Sequence, residues 1–526
     1  MHLVKPEPSS QANLTGGTDL TGRTVSGLRW SYLASGVNAV LQVAVTAFLA
    51  RLLYPDAFGV VAMAGVLLRF GQYFAQMGVG RALVQRPDIS NRDIRAAFTS
   101  SVLLGAALSA LFWVAAPLSV FLFHDPQVVP ILRVSGLSFV LAGLSTTALA
   151  LLQRELRFRS IAVIEMASYA LVYGPLGVAL AYAGLGPWSL VAAALGQTAL
   201  TAVLAYSFSR HTVRPSLDTA SLRALYSFGS RVSGISVLEF LALNLNPLWI
   251  GNRLGATALG IYNRGFSLIN VPAYYFTASL TRVMFSSMSR VQTDTAKLRR
   301  TYIAVTAVFA ALLIPACWGA AAASQQVVLV LLGPRWTEAI PIFAILAAVA
   351  PFTFLAGLSG LMCEVTAALN PKVILSVARL AALVILLLAL SPFGLVGCTL
   401  AYAIEELLQY AAYFLLMRSV LATPVRGLWA CQAAGYAFGS VVVALTLVVG
   451  WLAGAAHLPM WLTLTIQVAA GSCMLMILVL RGFSGAVWTA VGSGLRWAER
   501  IELASRSGRV MLWLDSHAAR PRSPRT

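Results

Sequence analysis

Residues 96–122 read AAFTSSVLLGAALSALFWVAAPLSVFL, with no charged side chain in the whole run. A helix needs roughly 20 apolar residues to cross the hydrocarbon of a bilayer, and this stretch supplies them with residues to spare. The same signal recurs along the chain, at 27–51, 57–80, 96–122, 129–152, 161–183, 186–208, 229–251, 257–281, 301–322, 338–368, 373–391, 394–417, 428–452 and 459–480. Long apolar runs are the mark of membrane helices, since a membrane barrel would show short alternating strands. The sequence therefore predicts an all-α polytopic membrane protein of about fourteen spans, the tenth broken or kinked near Pro351 and Gly357.

Composition agrees. Of 526 residues, 59% are hydrophobic and 10% charged, against roughly 25% charged in soluble domains, and mean hydropathy is +0.80. That excludes a soluble enzyme, a disordered scaffold and a fibrous protein. The first 22 residues lack an apolar core, so no cleavable signal peptide is expected. Cys317, Cys363, Cys398, Cys431 and Cys473 all sit in apolar runs without metal-ligand spacing and read as small buried hydrophobes.

The net charge is +19, from 37 Lys and Arg against 18 Asp and Glu. With the N-terminus placed in the cytoplasm, 30 of the 37 cations fall on the inner side, three (Arg51, Arg253, Arg335) outside and four (Arg69, Arg133, Arg264, Arg379) within spans. This bias predicts that both ends are cytoplasmic and accounts for the charge without a nucleic-acid partner. Residues 485–514 interleave Trp488, Leu495 and Trp497 with arginines, the pattern of an interfacial helix on anionic lipid.

The chain repeats itself. Gly27 and Arg29 at the start of span 1 recur as Gly229 and Arg231 in span 7, Arg51-Leu52 recurs as Arg253-Leu254, Gly59 as Gly260, Arg81 as Arg282, and Gly184-Leu185 as Gly394-Leu395. The predicted organisation is an N-terminal tail (1–26), a first lobe of spans 1–6 (27–208), a linker (209–228), a second lobe of spans 7–12 (229–417), two extra spans (428–480) and an interfacial helix with a basic tail (481–526). Lobes of six spans share one orientation and are related by an axis along the membrane normal, which suits alternating access at a midplane site.

Polar residues in spans are costly and mark function. Arg69, Gln72 and Gln76 share one face of span 2. Asn244, Asn246 and Glu239 lie on span 7, and Arg264, Asn270 and Tyr274 on span 8. Together they form a candidate cationic cavity, suited to an anionic ligand, or alternatively a closed ion-pair network. Arg29, Arg81, Arg231 and Arg282 are candidates for the cytoplasmic mouth, and Arg51 and Arg253 for an outer gate or for simple cations at helix C-termini. Depth counting pairs Arg379 with Glu364, and less easily with Glu405, as a structural pair or an ion relay alongside Glu239. No nucleotide-binding, serine-hydrolase or zinc-protease motif is present, and no outer loop is long enough for a catalytic domain.

TVSGLRWS (24–31), LARLL (49–53), FGVVAM (58–63), GVGRALVQ (78–85), GPWSLV (186–191), LGATALGIYNR (254–264) and FSSMSR (285–290) resemble the bacterial O-antigen and exopolysaccharide flippases, and within them the colanic-acid-exporter type. These belong to the multidrug/oligosaccharidyl-lipid/polysaccharide exporter superfamily. The resemblance implies translocation of undecaprenyl-pyrophosphate-linked oligosaccharide across the bacterial inner membrane, by alternating access coupled to H+ or Na+ and with no other cofactor. It also implies contact with membrane lipids and cooperation with polysaccharide polymerase and export proteins. A drug or small-solute antiporter of the superfamily is one alternative, and a membrane polymerase or ligase another.

Overall fold

The computed structural model describes residues 36–75, 80, 83–84, 89–216, 233–289, 295–366, 368–421 and 425–482, and every regular element among them is helical. The predicted N-terminal tail, Arg29, Gln76, Arg81, most of the linker with Arg231, and the interfacial helix lie outside the described residues. The first half contains α1 (Gly36–Leu52), α2 (Pro55–Ala75), α3 (Asn91–Ala115), α4 (Val128–Arg154), α5 (Phe158–Tyr182) and α6 (Pro187–Ser209). In the second half, one run, Ser233–Ser289, breaks at Gly255 into α7 (233–254) and α8 (256–289). Then follow α9 (Thr295–Ala322), α10 (Ala339–Val365), α11 (Leu369–Leu390), α12 (Gly394–Val420), α13 (Val425–Ala455) and α14 (Met460–Gly482). Among the described residues, nine helical stretches are long and apolar enough to cross a membrane.

Local chemistry sets the ends. Ser90 and Asp93 form a reciprocal capping box that starts α3. Near Pro117 the α3 span tightens into a 3-10 turn (Ala116–Leu118) and a short helix (Ser119–Phe123), so span 3 is segmented where span 10 is not. The helix Ala339–Val365 runs unbroken through Pro351 and Gly357, which corrects the expected break. Gly184 and Gly394, matched in the repeat, both hold positive φ (81° and 68°) at equivalent turns. Cys473 is exposed, unlike the other four cysteines: α14 sits at the rim and turns apolar side chains such as Met476 and Leu480 outward, as a lipid-facing helix does.

The two halves meet along α2 and the α7–α8 run. At the end carrying the α1–α2 turn, a Cβ at Gly59 would stand 1.7 Å from the Ala256 carbonyl oxygen, and one at Gly260 would stand 1.9 Å from that of Pro55. Gly59 and Gly260, like Pro55 and Ala256, are 201 residues apart, so the contact is reciprocal, as at a two-fold interface. The same end carries two hydrogen bonds donated by the second half to the first. Trp336 Nε1 donates to the Ala50 carbonyl at 2.8 Å, and Asn252 Nδ2, 202 residues beyond Ala50, donates to the Leu122 carbonyl.

At the opposite end, residues 210–216 are strapped to α3. Arg95 donates to the carbonyls of Arg214 and Pro215, both at 3.2 Å, and Ser216 N donates to Thr99 Oγ1 at 2.9 Å. His211 is buried beneath the strap between Phe98 and Tyr206, ring centroids 5.4 and 5.6 Å away. Burial holds its pKa below the ordinary 6.5, partly offset by the backbone at Thr212 and His211. A depressed folded-state pKa means the released strap binds the extra proton. The strap's stability is therefore complete above about pH 6.5 and falls as pH drops through and below that value. The hydrogen-exchange protection factors of residues 210–216, taken relative to the intrinsic rate at each pH, are expected to fall between pH 7.5 and 5.5, and His211→Phe to flatten that dependence.

Candidate functional site

The seam between the halves collects the polar residues of α2, α7 and α8. Arg69 Nε donates to Asn244 Oδ1 at 3.0 Å, joining first half to second, and Asn244 Nδ2 turns back to the Phe240 carbonyl at 2.9 Å. Phe70 and Phe240 meet beside them at 5.1 Å. Gln72 is exposed. Asn246, two residues and so about half a helical turn from Asn244, is 2% exposed and faces Tyr262, with neither amide atom hydrogen-bonded at standard geometry among the described residues.

Nearer the α1–α2 turn lies Arg264. Its guanidinium stands 4.6 Å over the Phe58 ring, a cation–π contact across the seam. Its Nε is buried without a hydrogen-bond partner among the described residues. Tyr169 and Tyr173, stacked at 4.7 Å on a single π-helical turn of α5, lie within its electrostatic reach. Such a turn brings two side chains onto one face and is frequent at functional sites. Neither Phe58 nor this tyrosine pair stands out in the sequence, because aromatic residues on apolar spans look like ordinary packing.

Asn270 Nδ2 donates to the Phe266 carbonyl at 3.3 Å, and the residue lines a small cavity with Phe266, Thr353 and Tyr402. Glu239, Tyr274 and Arg282 lie on helix, with side chains outside the described set. The two repeat-related arginines Arg51 and Arg253 part company. Arg51 Nη2 crosses to the Val330 carbonyl in the other half, whereas Arg253 stays beside Trp249 of its own helix, 5.7 Å from the ring.

The second half holds a separate ionic cluster. Arg379 on α11 lies 2.7 Å from Glu405 Oε1 through Nε and 2.6 Å from Glu406 Oε1 through Nη2, and each glutamate side chain is 1% exposed. The pairing of Arg379 with Glu364 is therefore corrected. Glu364 Oε1 accepts from Lys372 Nζ at 2.6 Å across the α10–α11 turn. Arg379, seven residues further along α11 and so about 10 Å deeper, faces α12. Glu406 belongs to the cluster as closely as Glu405. Two buried carboxylates on one guanidinium leave a formal charge of −1, so removing the cation strands both acids. Arg379→Ala is expected to destabilise the protein by about 3–5 kcal/mol in detergent thermal melts, and replacing all three residues with leucine to recover most of that loss. No group of three or more His, Cys, Asp and Glu among the described residues is arranged to hold a metal ion.

Comparison with known proteins places this arrangement. The chain is 24% identical over 411 residues to the lipopolysaccharide biosynthesis protein WzxC of Escherichia coli (strain K12), covering 77% of this chain and 83% of that one. It is 25% identical over 335 residues to the teichuronic acid biosynthesis protein TuaB of Bacillus subtilis (strain 168), covering 63% and 68%. Its fold is similar to that of the lipid II flippase MurJ in an inward closed conformation, with a TM-score of 0.67 at 12% identity, covering 86% of this chain and 98% of that chain. The family model described as polysaccharide biosynthesis protein matches residues 48–341, more than half of the sequence. The chain belongs to the polysaccharide biosynthesis protein family.

Proposed function

We propose that the protein is a flippase, which moves a lipid-linked oligosaccharide with an anionic headgroup, of the undecaprenyl-pyrophosphate type, from the cytoplasmic to the periplasmic leaflet of the bacterial inner membrane. The observation that carries this reading is Arg264, a cation at the seam between the halves with a buried donor left unpartnered among the described residues. A buried guanidinium matches a diphosphate in charge and geometry. Arg69, about 21 Å from the α1–α2 end of its helix, supplies a second cation on the facing half. The relatives named for lipopolysaccharide and teichuronic acid biosynthesis support the substrate class, and the likeness to a flippase in fold supports the transport mode.

On this reading the chain crosses the membrane fourteen times, with both ends cytoplasmic. The contact at Gly59 and Gly260 closes the outer side, and the halves alternate access about it. Arg29, Arg81, Arg231 and Arg282 gather the headgroup at the inner mouth, and the polymerase and export proteins receive the product outside. Coupling to H+ or Na+ is assigned to the Arg379–Glu405–Glu406 cluster, because its surplus buried negative charge favours taking up one cation.

Complementation of a strain lacking the protein tests both assignments. Arg264→Ala, expressed at the normal level, is expected to lower polysaccharide export about 10- to 100-fold, the equivalent of one or two charge-assisted hydrogen bonds. Undiminished export would remove the reading. In reconstituted vesicles, Glu406→Gln is expected to leave binding of the lipid-linked substrate intact while abolishing the acceleration of flipping by an imposed proton or sodium gradient. A response to the gradient equal to wild type would remove the coupling assignment.

A further inference from the structure

We propose that Phe58 transmits ligand capture at Arg264 to the outer closure, so that the headgroup itself unlocks the gate. The inference rests on the flippase reading. Phe58 is 3% exposed and belongs to the first half, yet both of its distinctive partners belong to the second. Arg264 stands over its ring at 4.6 Å, and the Trp336 ring meets it at 5.5 Å with an interplanar angle of 66°. Trp336, fully buried, then donates from Nε1 to the Ala50 carbonyl at the end of α1. A ring of one half is thereby held between two side chains of the other, one at the ligand site and one at the closure.

The next residue along α2 is Gly59, which touches the Ala256 backbone with no room for a methyl group. A small displacement of Phe58 must therefore be felt at that contact, since tightly packed interfaces switch rather than stretch. The direction of the effect follows from relative strengths. A guanidinium over a phenyl ring is held by a weak quadrupole attraction. A diphosphate offers two or more charge-assisted hydrogen bonds, which are stronger. An arriving headgroup therefore draws Arg264 off the ring, Phe58 loses one of its two clamps, and the Trp336–Ala50 latch loses its backing. A ligand without the anionic group gives Arg264 nothing to exchange for Phe58 and leaves the gate shut.

The experiment uses the full chain in lipid nanodiscs, with the five native cysteines replaced and spin labels at Tyr182→Cys and Phe393→Cys. These positions are exposed, 84% and 73%, and lie at equivalent turns of the two halves. The probe is undecaprenyl pyrophosphate. In the otherwise unaltered protein, the probe is expected to shift most of the label pairs to a longer distance. Phe58→Leu is expected to bind the probe within about three-fold of the parent affinity while losing at least four-fifths of that shift, and Phe58→Tyr, which keeps the ring, to restore it. Trp336→Phe, which keeps a ring but not the N–H donor, is expected to populate the longer distance without probe. If Phe58→Leu opens as the parent does, or Trp336→Phe stays closed and responds as the parent does, the relay is overturned while the flippase reading stands. If the parent binds no probe at all, the flippase reading fails and the relay with it.

Discussion

The backbone contact of Gly59 with Ala256 and of Gly260 with Pro55 is the constraint on which the architecture depends. Two helix ends from different halves can approach this closely only where the residue facing the partner's carbonyl is a glycine, as Gly59 and Gly260 are. Everything around the contact is organised by it. The α1–α2 turn and the break at Gly255 bring the two helix ends together, Trp336 and Asn252 tie down the ends of α1 and α7, and Arg264 and Arg69 are aligned along the seam that follows. Replacing either glycine would push the halves apart before it altered anything inside them.

The symmetry of that contact does not extend to chemistry. Arg51 reaches across to Val330, while its counterpart Arg253 stays at home beside Trp249. The paired carboxylates on Arg379 have no counterpart among the described residues of α5 and α6. The two halves share a frame at the positions of that contact, and the side chains then differentiate them, with cations at the seam and a surplus negative charge within the second half.

Much of the frame is legible in the sequence, because its signals are periodic or redundant. Apolar runs, turn glycines such as Gly184 and Gly394, and the repeated Arg-Leu pairs each carry one local physical meaning. The site is legible only in part. Arg69 and Asn244 share a polar seam by residue type alone, and the structure joins them. The partner of Arg379 could not be read the same way. Glu405 and Glu406 point about 100° apart on α12, so one arginine reaches both only because α11 lies over the angle between them. Phe58, Trp336, Tyr169 and Tyr173 matter through what they touch, and an aromatic residue in an apolar span carries no mark of its neighbours.

The two helices beyond the duplication belong to one half only. α13 lies along α9 through backbone contacts, a Cβ at Gly435 falling 2.4 Å from the Ala310 carbonyl oxygen, and α14 rides on α13 at the rim. The second half therefore has the larger footprint in the bilayer, and lateral and rotational drag grow with footprint. Any rocking about the glycine seam then falls mainly to the smaller body. In the proposed alternating access, the first half would swing and the second would serve as the bearing on which it turns.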